Sequence, residues 1–540
     1  MFLQKSSRRP VLSSGTVVFM LSLYFTVVLN ATLWHFLQGN LPFDRFSSVL
    51  LWAWFPLFIF LLQTVIFNAL CWPYLTKPLG AFLLVGGGIA TSMMLRYGIL
   101  IDASTFRNIF ETNTREALDY VNLANILWPT LIGIVPAILL CGIRIQYARP
   151  VRESVRHLLL IVASLVAFAA IAGLAYKDVA SFGRNHREMP KMIVPYNYLQ
   201  GMIRYGQKVR DADKPFQLID PSPKLTAQAA QNPQRTILIL AIGESSRAMN
   251  YSLDGYARNT NPELSKEDVV SFQQVLSDGT YTALAVPSIF SHLTRKQFRI
   301  DEAARTENLL DLAQKAGYEV LWVDNDDGCK GVCKRVPTII AHSARHCQES
   351  YCYDEVLLDG LEDKIRNGKK NMLVVLHLLG SHGPSYFLRY PEGFGKFQPA
   401  CNTNEIRGCS QAQIENTYDN TILYTDHVLD DAIGLLKQFP EAKTGFLYVS
   451  DHGESLGENG MYLHGLPYAL APIEQKHVPM VLWMNAAMKK EDRIDYACLK
   501  QKAHAPLNQD YIFHTVVHWL DIDTVVYDPN YDFLTPCKKP

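Results

Sequence analysis

Long apolar runs fill the first third of the chain, whereas shorter apolar runs alternate with polar stretches over the remainder. Five of the long runs approach the ~20 residues that an α-helix needs to cross a bilayer. They cover residues 15–37, 49–70, 79–95, 124–143 and 158–175, and few charged side chains fall inside them. Because hydrocarbon excludes charge, this pattern predicts a transmembrane domain of five helices over residues 1–176.

The lysines and arginines of the short connecting segments predict the orientation of these helices. Positive charges cluster at the N-terminus (Lys5, Arg8 and Arg9) and in the segment 144–156 before the fifth run. Both segments are therefore expected in the cytoplasm, and five crossings place everything after residue 176 on the opposite side. The first run is expected to be retained, because it is too long for a signal peptide and lacks a clear small-x-small cleavage site.

The later part of the chain has the pattern of a globular domain. From residue 235 onward, short apolar runs alternate with helical patterns, which is typical of an α/β domain with a mostly parallel sheet. Residues 177–234 are predicted to be a connector, and its tail, 211–234, is rich in Pro, Gln, Ala and Lys, as linkers are. The prediction is therefore a transmembrane domain, a connector and a domain over 235–540.

Composition narrows the class of protein. The 51 Lys and Arg residues balance the 51 Asp and Glu residues, which argues against a nucleic-acid-binding protein, since that would need a basic excess. Hydrophobic residues make up 49% of the chain and charged residues 19%. Together with the apolar runs, these values exclude a wholly soluble enzyme, a disordered chain and a small disulfide scaffold.

The cysteines test the predicted orientation independently. Cys71 and Cys141 lie at the ends of apolar runs that are expected near the cytoplasm. The other eight follow the last run and come in pairs: Cys329/Cys333, Cys347/Cys352, Cys401/Cys409 and, more distantly, Cys498/Cys537. An even set in an oxidising compartment predicts disulfides. The alternative is a zinc knuckle built from the first two pairs, although the usual paired C-x-x-C spacing is missing.

Four predicted strands end in carboxylates or histidines. The side chains at or just after these ends are Glu244, Asp324, His377 with His382, and Asp451 with His452 and Glu454. In an open α/β sheet the ligand crevice lies at the carboxyl ends of the strands, so these groups are expected to gather there. A bound divalent cation explains such a gathering. Mixed Glu, Asp and His ligation favours Zn²⁺, with Mn²⁺ as the alternative.

A nucleophile is expected in the segment 277–288, which passes from a turn of small residues into a predicted helix. A hydroxyl at a helix start lies near unpaired N–H groups and the positive end of the helix dipole, where phosphate binds well. Metal coordination would lower the pKa of that hydroxyl and make it a nucleophile. Thr280, Thr282 and Ser288 all qualify, and spacing does not choose among them.

These residues belong to a set of short motifs with a specific resemblance. The motifs are residues 243–247 (GESSR), 253–256 (LDGY), 329–333 (CKGVC), 380–384 (GSHGP), 416–420 (NTYDN), 450–459 (SDHGESLGEN) and 463–465 (LHG). With them the chain resembles the lipid A phosphoethanolamine transferases of Gram-negative inner membranes, the family that includes the mobile colistin-resistance enzymes. The likeness extends over the whole chain, the five apolar runs included. It implies an alkaline-phosphatase/sulfatase-like periplasmic domain that follows a five-helix transmembrane domain.

The resemblance also assigns roles within the globular domain. It implies that Thr282 is the nucleophile and that Glu244, Asp451 and His452 bind zinc together with it. The remaining roles concern the substrate and fall on other side chains. His382 and His464 resemble the pair that holds phosphoethanolamine or a second metal, and one of them is expected to act as general acid or base. Lys330 is expected on the phosphate.

In the membrane domain, Asn108, Thr112 and Glu116 match polar positions that the family uses to bind lipid. Their spacing of four residues puts them on one face of a helix, which suits a site for a lipid headgroup. These residues are therefore expected to contact a lipid substrate.

The activity implied by the resemblance is a two-step transfer of phosphoethanolamine from phosphatidylethanolamine to a phosphate of lipid A, through a covalent intermediate on Thr282. The implied location is the bacterial inner membrane, with the catalytic domain in the periplasm. Alternatives are the same transfer to a core sugar of lipopolysaccharide or a periplasmic glucan, a membrane-anchored phosphatase or sulfatase, and a transporter or sensor. Sulfatases need a Cys/Ser-x-Pro-x-Arg setting, which the residues around Thr282 do not provide.

The chain departs from the family pattern near the expected nucleophile. Many relatives have flanking cysteines where this chain has Asp278 and Ser288. One disulfide around the Thr282 loop is therefore expected to be missing, and an additional carboxylate is expected near the phosphate site.

Overall fold

The computed structural model describes residues 9–40, 46–111, 121–174, 188–211, 215–326, 328–348 and 351–539. The chain divides into two compact units. The first comprises Met1–Phe106 and Val121–Tyr205, and the second comprises Arg107–Tyr120 and Gly206–Pro540. Each unit has its own cluster of buried hydrophobic side chains.

The helices of the first unit follow the apolar runs. They are Ser14–Tyr24, Ala31–Asn40, Phe46–Leu70, Thr76–Tyr97, Leu123–Pro129, Val135–Gly142 and Pro150–Leu174, with π-helical turns at Phe25–Leu29 and Thr130–Ile134 and a 3-10 turn at Met189–Met192. Two further helices, Ala103–Glu111 and Tyr196–Asp211, have residues in both units. The predominance of long apolar helices agrees with the predicted membrane domain.

Four stretches within the described residues are long and apolar enough to cross a membrane: Leu51–Leu70, Thr76–Tyr97, Leu123–Gly142 and Pro150–Gly173. The first predicted span is instead a pair, Ser14–Leu29 and Ala31–Asn40, bent by 49°, and it gives a fifth span only if the pair crosses as one. The bend occurs at Asn30, whose side-chain amide donates to the carbonyl oxygen of Phe25 at 2.8 Å. Hydropathy detects apolar length but not such a break.

The fifth helix also begins earlier than the apolar pattern predicts, at Pro150 rather than at residue 158. Its first turns contain Arg152, Glu153 and Arg156, which a hydropathy window discounts. Polar residues are nevertheless compatible with a helix end, where Pro is also tolerated because its missing N–H has no helical partner.

Fourteen strands occur in the part of the chain that the structure describes. Numbered in chain order, they are β1 (Val11–Ser13), β2 (Arg144–Gln146), β3 (Lys224–Leu225), β4 (Thr236–Gly243), β5 (Val270–Leu276), β6 (Glu319–Asp324), β7 (Thr338–Ile340), β8 (Met372–His377), β9 (Lys443–Ser450), β10 (Ser455–Leu456), β11 (Tyr462–Leu463), β12 (His477–Met484), β13 (Leu507–Asn508) and β14 (Ile522–Asp523). Three two-stranded pairs, β1 with β2, β10 with β11 and β3 with β14, lie apart from one large sheet.

The large sheet has eight strands in the order β13-β5-β12-β9-β4-β8-β6-β7. Its consecutive members β9, β4, β8, β6 and β7 pair in parallel, whereas β12 is antiparallel to both of its neighbours. Every residue of β4, β8 and β9 is buried, as expected of parallel strands covered on both faces. The prediction of a mostly parallel sheet is confirmed.

Nine of the described helices lie wholly within the second unit. They are Ala227–Gln231, Thr282–Ile289, Ile300–Ala303, Leu309–Lys315, Leu361–Asn367, Gln411–Lys437, Ala486–Glu491, Tyr496–Lys502 and Asp510–Trp519. The longest, Gln411–Lys437, begins with a capping box in which Ser410 and Gln413 exchange side-chain-to-backbone hydrogen bonds. The core cluster includes alternate residues of β4 and the inner face of Asp510–Trp519.

All four predicted cysteine pairs form disulfides: Cys329–Cys333, Cys347–Cys352, Cys401–Cys409 and Cys498–Cys537. The zinc-knuckle alternative is therefore wrong, because its four thiols are consumed in two of these bonds. Cys71 and Cys141 are free, as expected.

Candidate active site

The ends of β4 and β9 bring three predicted ligands together. The two strands are parallel neighbours, and Gly243, the last residue of β4, pairs with Ser450, the last of β9. The backbone N–H of Asp451 continues the ladder by donating to the carbonyl oxygen of Gly243 at 2.9 Å. The next side chains along the chain, Glu244, Asp451 and His452, are fully buried. Strand register therefore fixes the relative positions of two carboxylates and an imidazole.

Thr282 reaches this cluster from a different element. It is the first residue of the helix Thr282–Ile289, and its Oγ1 donates to Oε2 of Glu244 at 2.9 Å. The same oxygen lies 3.4 Å from Nε2 of His452. The predicted gathering of Thr282 with the strand-end residues is thus present in the structure.

The hydrogen bonds of His452 determine which of its nitrogens faces the cluster. Nδ1 lies 2.9 Å from the carbonyl oxygen of Gly453, an acceptor, so Nδ1 must be the donor. Burial, with neighbouring His464 acting in the same direction, lowers the pKa of His452 to about 4. The ring is therefore neutral near pH 7, and Nε2 has a lone pair that points at the carboxylates.

The resulting arrangement of electron-rich atoms fits a cation. Nε2 of His452 lies 3.3 Å from Oε1 of Glu244 and 3.3 Å from Oδ2 of Asp451. Among the described residues, Oδ2 of Asp451 has no hydrogen-bond partner although it is buried. Buried carboxylates that face an imidazole lone pair repel one another unless a positive charge lies between them. A mixed oxygen and nitrogen donor set of this kind suits a divalent transition metal.

The pKa values of Glu244 and Asp451 also indicate that these carboxylates lack a counter-charge. Burial raises the pKa of Glu244 to about 7, and the charge of Asp451 acts in the same direction. Burial likewise raises the pKa of Asp451 to about 7. Ionised carboxylates are thus costly here without a counter-charge, which is the condition under which a metal binds with the greatest gain.

His464 lies closer to the predicted ligands than the sequence indicates. Its ring centroid is 4.3 Å from that of His452, and ligand atoms of Glu244, His452 and His464 lie within 4.8 Å of one another. His382 is the next ring outward, 5.7 Å from His464 between centroids. The two histidines predicted as a pair are therefore neighbours, and His464 also has the geometry of a metal ligand.

Glu454 is predicted from the sequence only as one of the carboxylates that gather at the strand ends, without a role of its own. Its Oε2 accepts from Nδ1 of His464 at 2.7 Å, and its Oε1 accepts from the hydroxyl of Tyr386 at 2.6 Å. Burial raises the pKa of Glu454 to about 7. Its position two residues after His452, within the motif 450–459, is the feature of the sequence that points to a role in the site.

Lys330 belongs to the turn that the Cys329–Cys333 disulfide closes, and it adopts a left-handed backbone conformation (φ 47°). It lines a cavity of about 380 Å³ together with Pro287 and Ser291. Pro287 is part of the helix that begins at Thr282, but Thr282, Glu244 and His452 do not line this cavity, so a role of Lys330 on the phosphate stays a prediction.

A second buried group lies at the ends of β6 and β8. Asp324 pairs in register with His377, and Oδ2 of Asp324 lies 3.2 Å from Nδ1 of the imidazole. Burial opposes protonation of His377, but Asp324 and Asp326 raise its pKa to about 9. The two predicted strand-end residues thus form an ion pair beside the cluster.

The structure separates the three candidate hydroxyls. Thr280 Oγ1 donates to the carbonyl oxygen of Leu466 at 2.6 Å, and Ser288 Oγ donates to Oδ2 of Asp278 at 3.1 Å. Both are buried and directed away from Glu244, whereas Thr282 faces it. Among these three hydroxyls, only that of Thr282 contacts Glu244 in the described structure, a difference that their spacing does not show.

Of the three residues predicted to bind lipid, the structure describes one. Asn108 lies in the helix Ala103–Glu111 and is partly buried. Thr112 and Glu116 lie outside the described residues, so the common helical face of the three stays a prediction.

Two family models match the chain. Sulfatase matches residues 236–522, and Phosphoethanolamine transferase EptA/EptB matches residues 59–209. These matches confirm the predicted fold class of a sulfatase-like α/β domain that follows a helical membrane region.

Similar proteins match over nearly the whole chain. Phosphoethanolamine transferase EptA of Salmonella typhimurium is 38% identical and aligns over 99% of both chains. Phosphatidylethanolamine transferase Mcr-1 of Escherichia coli is 34% identical over 88% of this chain and 91% of its own. The structure of the integral membrane protein lipooligosaccharide phosphoethanolamine transferase A from Neisseria meningitidis superposes with a TM-score of 0.95 at 34% identity, covering 98% of this chain and 100% of that one. The chain therefore belongs to the phosphoethanolamine transferase family, and it is a membrane enzyme of that family.

Proposed function

We propose that the chain transfers phosphoethanolamine from phosphatidylethanolamine to a phosphate of lipid A, with Thr282 as the residue that is covalently modified between the two steps. We place the enzyme in the bacterial inner membrane with its catalytic domain in the periplasm. Four disulfides in the second unit support an oxidising compartment, and the apolar helices of the first unit suit an enzyme whose substrates are membrane lipids.

The single observation behind this proposal is the hydrogen bond from Thr282 Oγ1 to Glu244 Oε2, 2.9 Å long and adjacent to Nε2 of His452. A hydroxyl at a helix start that donates to a buried carboxylate has both an acceptor for its proton and N–H groups for a phosphoryl oxygen. No other hydroxyl of the segment 277–288 has that pair of neighbours among the contacts described.

The residues that would hold zinc are Glu244, Asp451 and His452, together with Thr282. Bound zinc would lower the pKa of the threonine hydroxyl and offset negative charge on the phosphoryl oxygens. The donor set, the neutral Nε2 of His452 and the unpartnered Oδ2 of Asp451 support this assignment.

In the first step, Oγ1 of Thr282 attacks the phosphorus of phosphatidylethanolamine while its proton passes to Oε2 of Glu244. The bond between phosphorus and the glycerol oxygen breaks, and diacylglycerol leaves. An imidazole of the His382–His464 pair protonates the departing oxygen. Phosphoethanolamine is then bonded to Thr282.

In the second step, a phosphate oxygen of lipid A attacks the same phosphorus, and Oγ1 of Thr282 departs. The threonine oxygen regains its proton from Glu244, the proton of the attacking phosphate passes to the imidazole that was deprotonated in the first step, and the product contains a new phosphoanhydride bond. Lys330, which lines the same cavity as Pro287 of the Thr282 helix, supplies a positive charge for the phosphoryl oxygens in this scheme. Asn108, Thr112 and Glu116 bind a lipid headgroup in this scheme.

Peptide mass spectrometry of the purified full-length enzyme after incubation with phosphatidylethanolamine tests the proposal. The expected result is a phosphoethanolamine adduct on Thr282 that disappears when lipid A is added. An adduct on Thr280 or Ser288, or none on any hydroxyl in the presence of zinc, would overturn the assignment of the nucleophile. Transfer to a lipopolysaccharide core sugar or a glucan instead of lipid A would overturn the acceptor and leave the nucleophile in place.

A further inference from the structure

We propose that Gln509 is a positioning residue that holds the Thr282 loop in register with the strand end that bears Asp451 and His452. The inference rests on the proposed function and deepens it, because it names the group that keeps nucleophile and metal ligands at a fixed separation. Gln509 does not touch the reacting atoms and acts through backbone groups of other residues.

The side chain of Gln509 bridges two segments that are remote in sequence. Its Oε1 accepts from the backbone N–H of Asp278 at 2.8 Å. Its Nε2 donates to the carbonyl oxygens of Ser450 at 2.7 Å and Asp451 at 2.9 Å. One amide therefore satisfies a donor on the loop before Thr282 and two acceptors at the end of β9.

The contact with Asp278 is transmitted to the nucleophile by the helix itself. Oδ2 of Asp278 accepts from Oγ of Ser288, which lies in the helix that begins at Thr282. The intervening turn is held by Thr280, whose Oγ1 donates to Leu466 O and whose carbonyl oxygen accepts from Gly465 N at 2.7 Å. A displacement of Asp278 would therefore move the helix start where Thr282 lies.

The other contacts reach the metal ligands directly. The carbonyl groups that Gln509 binds belong to Asp451 and to the residue before it. Ser450 is tied further into the site, because its Oγ donates to the carbonyl oxygen of His452 at 2.9 Å and accepts from Ser246 N at 2.9 Å. Losing the two bonds from Gln509 would loosen the peptide units that orient Asp451.

Glutamine suits this place because both a donor and an acceptor are needed. The backbone N–H of Gln509 donates to Leu276 O at 3.1 Å, so the side chain extends from an anchored point at the end of β5. The residue is 1% exposed, so water does not replace a lost bond readily. An ionised glutamate would turn an oxygen towards two carbonyl oxygens, and methionine would satisfy none of the three groups.

Three variants of the full-length enzyme in detergent test the inference. Gln509→Met removes the hydrogen bonds at similar volume, and Gln509→Glu keeps the shape but loses the NH₂ donor. The matched control is Asn485→Leu, because Asn485 bridges backbone groups at the opposite end of β9, donating to Ala442 O and accepting from Thr444 N. The measurements are kcat and KM with fluorescently labelled phosphatidylethanolamine, zinc affinity by chelator competition, and Tm.

We expect kcat and zinc affinity of Gln509→Met to fall ~10–100-fold, the range for residues that orient metal ligands, with KM for the donor changed by less than about threefold. Asn485→Leu should lower Tm and leave kcat and zinc affinity unchanged. Equal effects of the two variants on kcat and zinc affinity would overturn the inference, since the loss would then be a general one of stability.

Should Gln509→Met fail to fold, Gln509→Glu decides at a single pH, because it keeps the shape of the side chain and replaces the NH₂ donor with an oxygen. Its kcat and zinc affinity should fall ~10–100-fold, with a Tm no lower than that of Asn485→Leu. Wild-type kcat and zinc affinity in a folded Gln509→Glu would overturn the inference. Wild-type enzyme that neither binds zinc nor forms the Thr282 adduct would instead overturn the proposed function, and this inference with it.

Discussion

Glu454 fixes the orientation of His464, because its Oε2 accepts from Nδ1 of that imidazole at 2.7 Å. The second carboxylate oxygen of Glu454 is bound as well, by the hydroxyl of Tyr386 at 2.6 Å. A carboxylate held at both oxygens cannot rotate, so the ring of His464 is constrained beside His452. Outer-shell carboxylates of this kind tune the basicity and direction of the histidines that they bind.

Glu454→Gln is accordingly expected to lower transfer activity ~10–100-fold, because His464 loses its anionic partner. Tyr386→Phe removes one supporting hydrogen bond and should produce a smaller loss. Glu491→Gln, at an exposed helix end, serves as the control for the loss of one negative charge. Labelled-lipid turnover measures all three, and wild-type turnover by Glu454→Gln would contradict a role for this contact.

Thr282→Ala is expected to abolish both turnover and the phosphoethanolamine adduct, because it removes the oxygen that we propose bonds to phosphorus. Thr282→Ser retains that oxygen and should retain measurable turnover. Thr280→Val is the matched control, since it removes a buried hydrogen bond to Leu466 O and should cost about 1 kcal/mol of unfolding free energy while adduct formation persists. Adduct formation by Thr282→Ala would refute the assignment.

Without the proposed zinc, the stability of the second unit should fall as pH rises. Burial raises the pKa of Glu244, Asp451 and Glu454 to about 7, whereas unfolded carboxyl groups titrate near pH 4. Between about pH 4 and 7 the folded chain therefore binds more protons than the unfolded chain, so the free energy of unfolding declines with increasing pH. His452, with its pKa lowered to about 4, acts oppositely between about pH 4 and 6.5 and offsets only part of this decline.

Thermal unfolding of chelator-treated and zinc-loaded enzyme across this range measures the effect. The Tm of the stripped enzyme should decrease from about pH 5 to 7.5, and that of the loaded enzyme should decrease less. A smaller decrease remains because burial also raises the pKa of Asp254 and Asp426, which lie outside the cluster, to about 7. In stripped enzyme, Asp451→Asn should flatten the decrease because one titrating carboxyl is gone. A stripped enzyme whose Tm stays constant or increases would show that these carboxyls are not strained without a cation.

The disulfides are expected to differ in their contribution to stability. Cys498–Cys537 joins residues 39 apart, whereas Cys329–Cys333 joins residues 4 apart. Loop-closure entropy then predicts a loss of about 4 kcal/mol for replacing the first pair with alanine, and about 2 kcal/mol for the second. Denaturant unfolding of the two double variants tests this order. Equal losses would indicate that effects in the folded state dominate.

Much of the site could be predicted from sequence because strand ends are visible in the hydrophobic pattern. Runs of buried residues end at Gly243, His377 and Ser450, and parallel pairing obliges the following side chains to meet at one edge. The cysteine pairs could also be predicted from sequence, since a short spacing between two cysteines leaves few alternative partners for each. These features depend on local sequence and on topology.

Features that depend on tertiary contacts were not visible. Thr280, Thr282 and Ser288 are equivalent in spacing, and only the partners Leu466, Glu244 and Asp278 distinguish them. The proximity of His464 to His452 and the bridge made by Gln509 arise between segments remote in sequence. The hydrophobic pattern does not reveal the bend at Asn30, because the bend interrupts the helix without interrupting the run of apolar residues.

The disulfide pattern has a consequence for biogenesis. Each bond joins a cysteine to the next cysteine along the chain, with no crossing or nesting among the four. A catalyst that oxidises thiols in order of their emergence, N-terminal first, would generate the native set directly. Maturation of this domain should therefore depend on a dithiol oxidase and be indifferent to loss of a disulfide isomerase.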